Sequence, residues 1–219
     1  MWCIPKLTPE FRERMEDVIS LCLEPYDPKR PVICLDEKSK QLLADSRRSL
    51  PLLPGKTAVQ DYEYVRKGTR NIFVAVEPKG GRHHTQVTSR RKKEDYARFM
   101  EMLIGQYPAA ERLRIVQDNL NIHSEKSLVH TFGKRKAKTL MKRVEFHPTP
   151  KHASWLNMAE IEIGILDRQC LNRRIPSADM MEQEVRSWTE QRNEQHSTIN
   201  WKYTKEKAAK SFPALYAGT

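Results

Sequence analysis

The chain has 219 residues, 38% hydrophobic and 31% charged, which suits one large α/β domain or a domain with appendages. A net charge of +11 favours a polyanionic partner, nucleic acid first, with Lys and Arg gathered at 89–93, 134–143 and 172–174. The four cysteines (Cys3, Cys22, Cys34, Cys170) form no CxxC pair, which argues against structural zinc and a disulfide framework, and no apolar run reaches the length of a membrane span.

Residues 1–7 are mostly apolar and include Trp2. Thr8 followed by Pro9 reads as an N-cap and first helical position. The predicted helix runs to about Leu23, with Phe11, Met15, Val18, Ile19 and Cys22 on one face, and Pro25 and Pro28 end it. This opening, residues 1–30, is expected to be a linker helix leading in from a part upstream. Pro31–Leu35 is a short apolar run, read as a strand buried on both faces, and Asp36 follows it directly. Residues 39–70 read as loop, punctuated by Pro51, Pro54, Gly55 and Gly68. Asn71–Val76 is the next strand, Pro78, Gly80 and Gly81 make a turn, and His83–Thr88 pairs back as a hairpin. His83 and His84 are expected to face solvent. A helix over Lys92–Gln106 turns Tyr96, Phe99, Met100 and Leu103 inward.

In residues 114–123 (RIVQDNLNIH), Ile115 and Val116 read as the end of a buried strand, and Asp118 stands where it gives out. A carboxylate at the C-terminal end of a core strand is where an open α/β sheet presents chemistry. The plainer alternative is an Asx turn. Ser124 caps a helix to about Phe132, Gly133 breaks it, and a basic helix continues to about Arg143. Val144–Phe146 is a short strand leading to His147 and Pro148. Ser154 is expected to cap a largely buried helix with Leu156, Ala159, Ile163, Leu166 and Cys170 at helical spacing, and Glu160 on its edge. Ser177 caps a last amphipathic helix to about Asn193. The tail, 194–219, with Trp201, Tyr203, Phe212 and Tyr216, is expected to be a loosely packed appendage.

This order of elements is that of a ribonuclease H-like fold, a mixed five-stranded sheet flanked by helices, over residues 31–193. It puts Asp36 on the first strand, Asp118 on the fourth and Glu160 on the helix after the fifth. Three converging carboxylates repel unless a cation joins them. Their hard oxygens suit Mg²⁺, and two such ions suit phosphodiester displacement. No histidine has metal-motif spacing.

Three stretches carry a resemblance to a family. CLDEKS (34–39), QDNLNIH (117–123) and HPTPKHASWLNMAEIEIG (147–164) resemble, in order, the three motifs of the catalytic domain of insertion-sequence transposases in the mariner superfamily, which are DDE transposases. The likeness covers about residues 30–190. It implies Asp36, Asp118 and Glu160 as catalytic metal ligands, with Glu162 the rival to Glu160. It implies Mg²⁺, with Mn²⁺ as a substitute, and cleavage of transposon ends followed by transfer of the 3′-hydroxyl into target DNA at a TA step. Asn119, His123, Lys151, His152, Trp155 and Asn157 are the candidate DNA-contacting or site-orienting residues, against loop hydrogen bonding or core packing. The implied partners are double-stranded DNA (transposon ends and target) and helix-turn-helix modules upstream or on a separate chain. The resemblance leaves room for a homodimer and implies a cytoplasmic, nucleoid-associated protein. Two departures stand out: the spacing from second to third motif is longer than usual, because the basic helix lies inside it, and helix-turn-helix modules are not within this sequence. The alternatives are a ribonuclease H-like nuclease of other specificity and a non-catalytic, DNA-binding relic of a transposase.

Overall fold

The computed structural model describes residues 7–47, 54–55, 62–120 and 122–216; Trp2, Cys3, Pro51 and Asn121 lie outside them. Helix α1 spans Pro9–Leu23, and the Thr8 side chain accepts from the Phe11 amide at 3.2 Å. Five strands follow in the expected order: β1 (Val32–Asp45), β2 (Tyr64–Glu77), β3 (Arg82–Thr88), β4 (Leu113–Gln117) and β5 (Val144–Pro148). Between them lie α2 (Lys93–Gly105), before β4, and α3 (Glu125–Met141), before β5. After β5 come α4 (Ala159–Leu166), α5 (Ala178–Glu194) and α6 (Lys205–Ser211). The strands form one sheet in the order β3-β2-β1-β4-β5; β1 pairs antiparallel with β2 and parallel with β4, and β5 runs parallel to β4. This is the ribonuclease H-like arrangement read from the sequence.

The apolar runs of β1 and β4 bury both faces. Ile33, Leu35, Phe73 and Ile115 pack under α2 and α3 with Tyr96, Phe99 and Leu103. Cys34, Val76 and Val116 pack on the other face under α1, joined by Leu156 and Ala159. Leu42, Ile72 and Val74 pack against Leu166, Met181, Val185 and Trp188 of α4 and α5. Among the described cysteines, Cys22, Cys34 and Cys170 are free and buried. No helix of the described residues is long and apolar enough to cross a membrane.

Four local expectations are corrected. The stretch read as loop over 39–70 is largely sheet: β1 continues to Asp45 and β2 starts at Tyr64, with a bulge between Gln41 and Leu43. Backbone pairing holds this polar arm together, and side-chain burial contributes little beyond Leu42. Ser154 begins only a short 3-10 turn to Leu156; Asn157 then adopts an extended conformation, and its side chain accepts from the Ala159 amide at 3.2 Å, so the helix proper starts there. His83 is buried and His84 partly so, rather than solvent-facing. The tail is packed: Ala208 is buried, Phe212 lies edge-on to Phe11, and Arg12 covers the Tyr216 ring at 4.2 Å. Gly133 breaks α3 as expected, at φ 77 and ψ 163, a conformation open essentially to glycine alone.

Candidate active site

Two residues beyond the Cys34–Val116 pair on the parallel strands β1 and β4, Asp36 and Asp118 come level, just past the end of β4 and of its pairing with β1. Strand alternation turns Asp36 towards the α4 face and Glu37 towards the α2 face. Asp36 is almost fully buried. Its Oδ1 accepts from the Glu37 amide at 2.8 Å and its Oδ2 from Asn157 Nδ2 at 3.2 Å. Asn157 Nδ2 also donates to the Leu35 carbonyl at 2.8 Å. One buried amide therefore ties the start of α4 to β1, and it brings Glu160, in the first turn of α4, near Asp36. Burial pushes the Asp36 carboxyl up to about 7, helped by the like charges of Glu160, Glu37 and Asp118 and opposed by the Glu37 amide.

Asp118 is held from the other side. Its Oδ1 accepts from His123 Nδ1 at 2.5 Å and from the Leu120 amide at 3.3 Å; its Oδ2 makes no hydrogen bond among the described residues. His123 Nε2 faces Glu37 Oε2 at 3.0 Å, a close charge contact off the line of a hydrogen bond. Burial alone would lower the His123 pKa, but the two carboxylates more than reverse this and hold it at about 9.

Glu162, the rival of Glu160, is committed elsewhere. Its carboxylate takes Arg192 Nη2 at 2.7 Å and Arg192 Nε at 3.1 Å, and lies 3.2 Å from His83 Nε2, with essentially no exposed surface. Burial raises its pKa, but the His83 and Arg192 side chains against it bring it below the usual carboxylate range. Glu160 is exposed and makes no side-chain hydrogen bond or ion pair among the described residues.

Of the remaining candidates, Asn119 is exposed beside Asp118, while His123 and Asn157 are buried and face carboxylates rather than solvent. Lys151 and His152 lie on an exposed turn after β5, His152 at φ 62. Trp155 is 42% exposed, with Tyr203 edge-on at 5.1 Å and Phe212 stacked at 6.2 Å. His147 pairs with Asp17 at 2.8 Å, away from the carboxylates. Sequence reasoning missed Glu37, Arg91, Tyr96 and Gln117, which line the inner side of this site; the signal for Glu37 was its place next to Asp36, facing the opposite way on the strand.

Among the described residues no group of three or more His, Cys, Asp or Glu side chains is arranged to hold a metal ion as it stands. The donor set nevertheless fits a hard divalent cation. Asp36 carries a raised pKa among like charges, and Asp118 and Glu160 offer uncommitted oxygens. Mg²⁺ needs only a few carboxylates when phosphate and water complete its shell.

Comparison with known proteins agrees with this fold. The Mos1 mariner paired end complex with Mn superposes at a TM-score of 0.55 with 17% identity, covering 90% of this chain and 60% of that one. The Mos1 strand transfer complex gives 0.56 with 16% identity, covering 90% and 59%. The mariner Mos1 paired end complex with Mg gives 0.52 with 14% identity, covering 92% and 66%. At these identities the likeness is one of fold, and this chain spans about 60% of the length of the first of these. No curated protein matches the chain. The sequence profile described as DDE superfamily endonuclease matches residues 31–182, well over half of the sequence, and the chain belongs to that family.

Proposed function

We propose that this chain is the catalytic domain of a DDE transposase, which cuts DNA at transposon ends and transfers the freed 3′-hydroxyl into target DNA. The reading is supported by Asp36 and Asp118 lying level just past the β1–β4 pairing, and by the Asp36 carboxyl, pushed up to about 7 by burial and then by the like charges of Glu160, Glu37 and Asp118. Mg²⁺, or Mn²⁺ in its place, would be held by Asp36, Asp118 and Glu160. When bound, the metal would activate the attacking oxygen and stabilise the leaving one in phosphodiester displacement. Asn157 orients Asp36, and His123 orients Asp118. Asn119, Lys151, His152 and Trp155 are exposed, and we assign them to DNA contact, with the indole of Trp155 offering a stacking surface for an unpaired base. We read residues 31–193 as the catalytic unit, with α1 and the segment after α5 packed upon it. Its partners on this reading are double-stranded transposon ends and target DNA, a second copy that pairs the two ends, and helix-turn-helix modules. The place of action is the nucleoid.

The test is cleavage and strand transfer on DNA carrying the element's ends. Asp118→Asn and Glu160→Gln abolish both steps in a protein that still folds; Glu160→Gln leaves the melting temperature unchanged, and Asp118→Asn lowers it modestly because Asp118 pairs with the buried His123. Glu162→Ala instead destabilises the fold by about 3–5 kcal/mol, because it strands Arg192 and His83. Strand transfer retained in Asp118→Asn overturns the proposal.

A further inference from the structure

We infer that Glu37 is a positioning residue for the metal site, acting on Asp118 through His123; the inference rests on the function proposed above. Glu37 is next to Asp36 in sequence but points through the sheet to the opposite face, and its side chain is only 2% exposed. A buried carboxylate needs partners, and this one has two, an arginine and an imidazole. Its Oε1 takes Arg91 Nη1 at 2.8 Å, and its Oε2 lies 3.0 Å from His123 Nε2.

The imidazole between Glu37 and Asp118 has no freedom to serve another purpose. Its side chain is wholly buried, and it packs against the Tyr96 ring at 4.9 Å, tilted by 33°. The Tyr96 hydroxyl donates to Gln117 Oε1 at 2.9 Å, and Gln117 Nε2 donates to the His123 carbonyl at 3.0 Å. Only the two ends of the ring remain, and both meet a carboxylate. At the Asp118 end, Nδ1 engages Oδ1 and leaves Oδ2 uncommitted. The chain Arg91–Glu37–His123–Asp118 thus fixes which oxygen of Asp118 is turned to the site. A histidine oriented by a second carboxylate, itself held by an arginine, is the arrangement by which outer groups set ligand geometry. Here the histidine orients a carboxylate rather than binding metal itself. Strand β1 supplies both levels: Asp36 faces the site from one side, and Glu37 supports Asp118 from the other.

The experiment titrates Mn²⁺ into the full chain by calorimetry and, in parallel, measures cleavage of end-bearing DNA against Mn²⁺ concentration. The variants are Glu37→Gln, Glu37→Met, His123→Ala and the double variant Glu37→Met/His123→Ala, each with its melting temperature. Glu37→Met, similar in length but without an acceptor, weakens Mn²⁺ binding about tenfold or more and raises the Mn²⁺ needed for half-maximal cleavage by the same factor. The rate at saturating Mn²⁺ changes far less. Glu37→Gln, which still offers His123 an oxygen, recovers most of the affinity. The double variant binds Mn²⁺ no more weakly than His123→Ala alone, because both act through one chain. Wild-type Mn²⁺ affinity in Glu37→Met, or independent losses that multiply in the double variant, overturns the inference while leaving the transposase reading intact. A wild-type chain that neither takes up Mn²⁺ nor cuts DNA overturns that reading, and the inference with it.

Discussion

At the scale of single residues, His84 of β3 shows how position decides a proton. His84 is partly buried, its Nε2 3.1 Å from the Tyr107 hydroxyl, which in turn donates to Glu77 Oε2 at 3.1 Å. Burial, then the positive charges of Arg82 and His83, hold its pKa down at about 4. In the unfolded chain the same group titrates near about 6.5. The unfolded state therefore binds more protons between these values, and stability falls as pH is lowered from about 6.5 through about 4. The contribution of His84 present above that window and lost below it is on the order of 3 kcal/mol. Urea unfolding at stepped pH checks this: the difference between wild type and His84→Gln narrows towards pH 4. A difference that is constant over this range contradicts it.

At the scale of elements, Asn157 is the fastening between β1 and α4. Its amide reaches the Leu35 carbonyl and Asp36 while its oxygen caps Ala159. Asn157→Leu leaves the Leu35 carbonyl and the Ala159 amide without these partners, a cost of about 1–3 kcal/mol each if unrelieved. It also frees Asp36 and the start of α4. The expected outcome is a lowered melting temperature together with a drop in cleavage at all Mn²⁺ concentrations, unlike the Glu37 variants, whose loss is recovered at high Mn²⁺. Much at this scale was legible in the sequence. The strands with apolar runs and the helices with 3.6-residue stripes stand where periodicity puts them, and Thr8 and Ser177 both cap as read. The polar arm of β1 and β2 was not legible, because its cohesion is backbone pairing across a bulge and leaves no period-2 apolar trace. The true start of α4 was hidden because Asn157 looks like any helical polar residue until its amide is seen to reach another element. The burial of His83 was hidden for the same reason: Asn193 and Glu162, far along the chain, enclose it. Motif order points to Asp36, Asp118 and Glu160 as the proposed ligands, whereas the second carboxylate behind Asp118 was not legible, since only the fold brings Glu37 to His123.

At the scale of the whole molecule, the two ends of the described chain meet on one face of the sheet. Phe212 lies 6.0 Å from Phe11 and 6.2 Å from Trp155, and α6 buries Ala208 beside α1. This cluster links the opening helix, the turn after β5 and the C-terminal segment. Phe212→Ala is expected to cost about 2 kcal/mol, less than a fully buried phenylalanine, and to shift Trp155 fluorescence to the red. An unchanged melting temperature would show that the segment after α5 adds nothing to the domain. The Asn157–Asp36 contact joins residues 121 positions apart. On the proposed function this spacing has a consequence for synthesis on the ribosome. Asp36 and Asp118 emerge early, but Glu160 and its fastening follow only after β5 is made. On that function, a nascent or truncated chain that stops short of α4 carries two of the three ligands with nothing to close the set, and the capacity to break DNA arises only once α4 has been made.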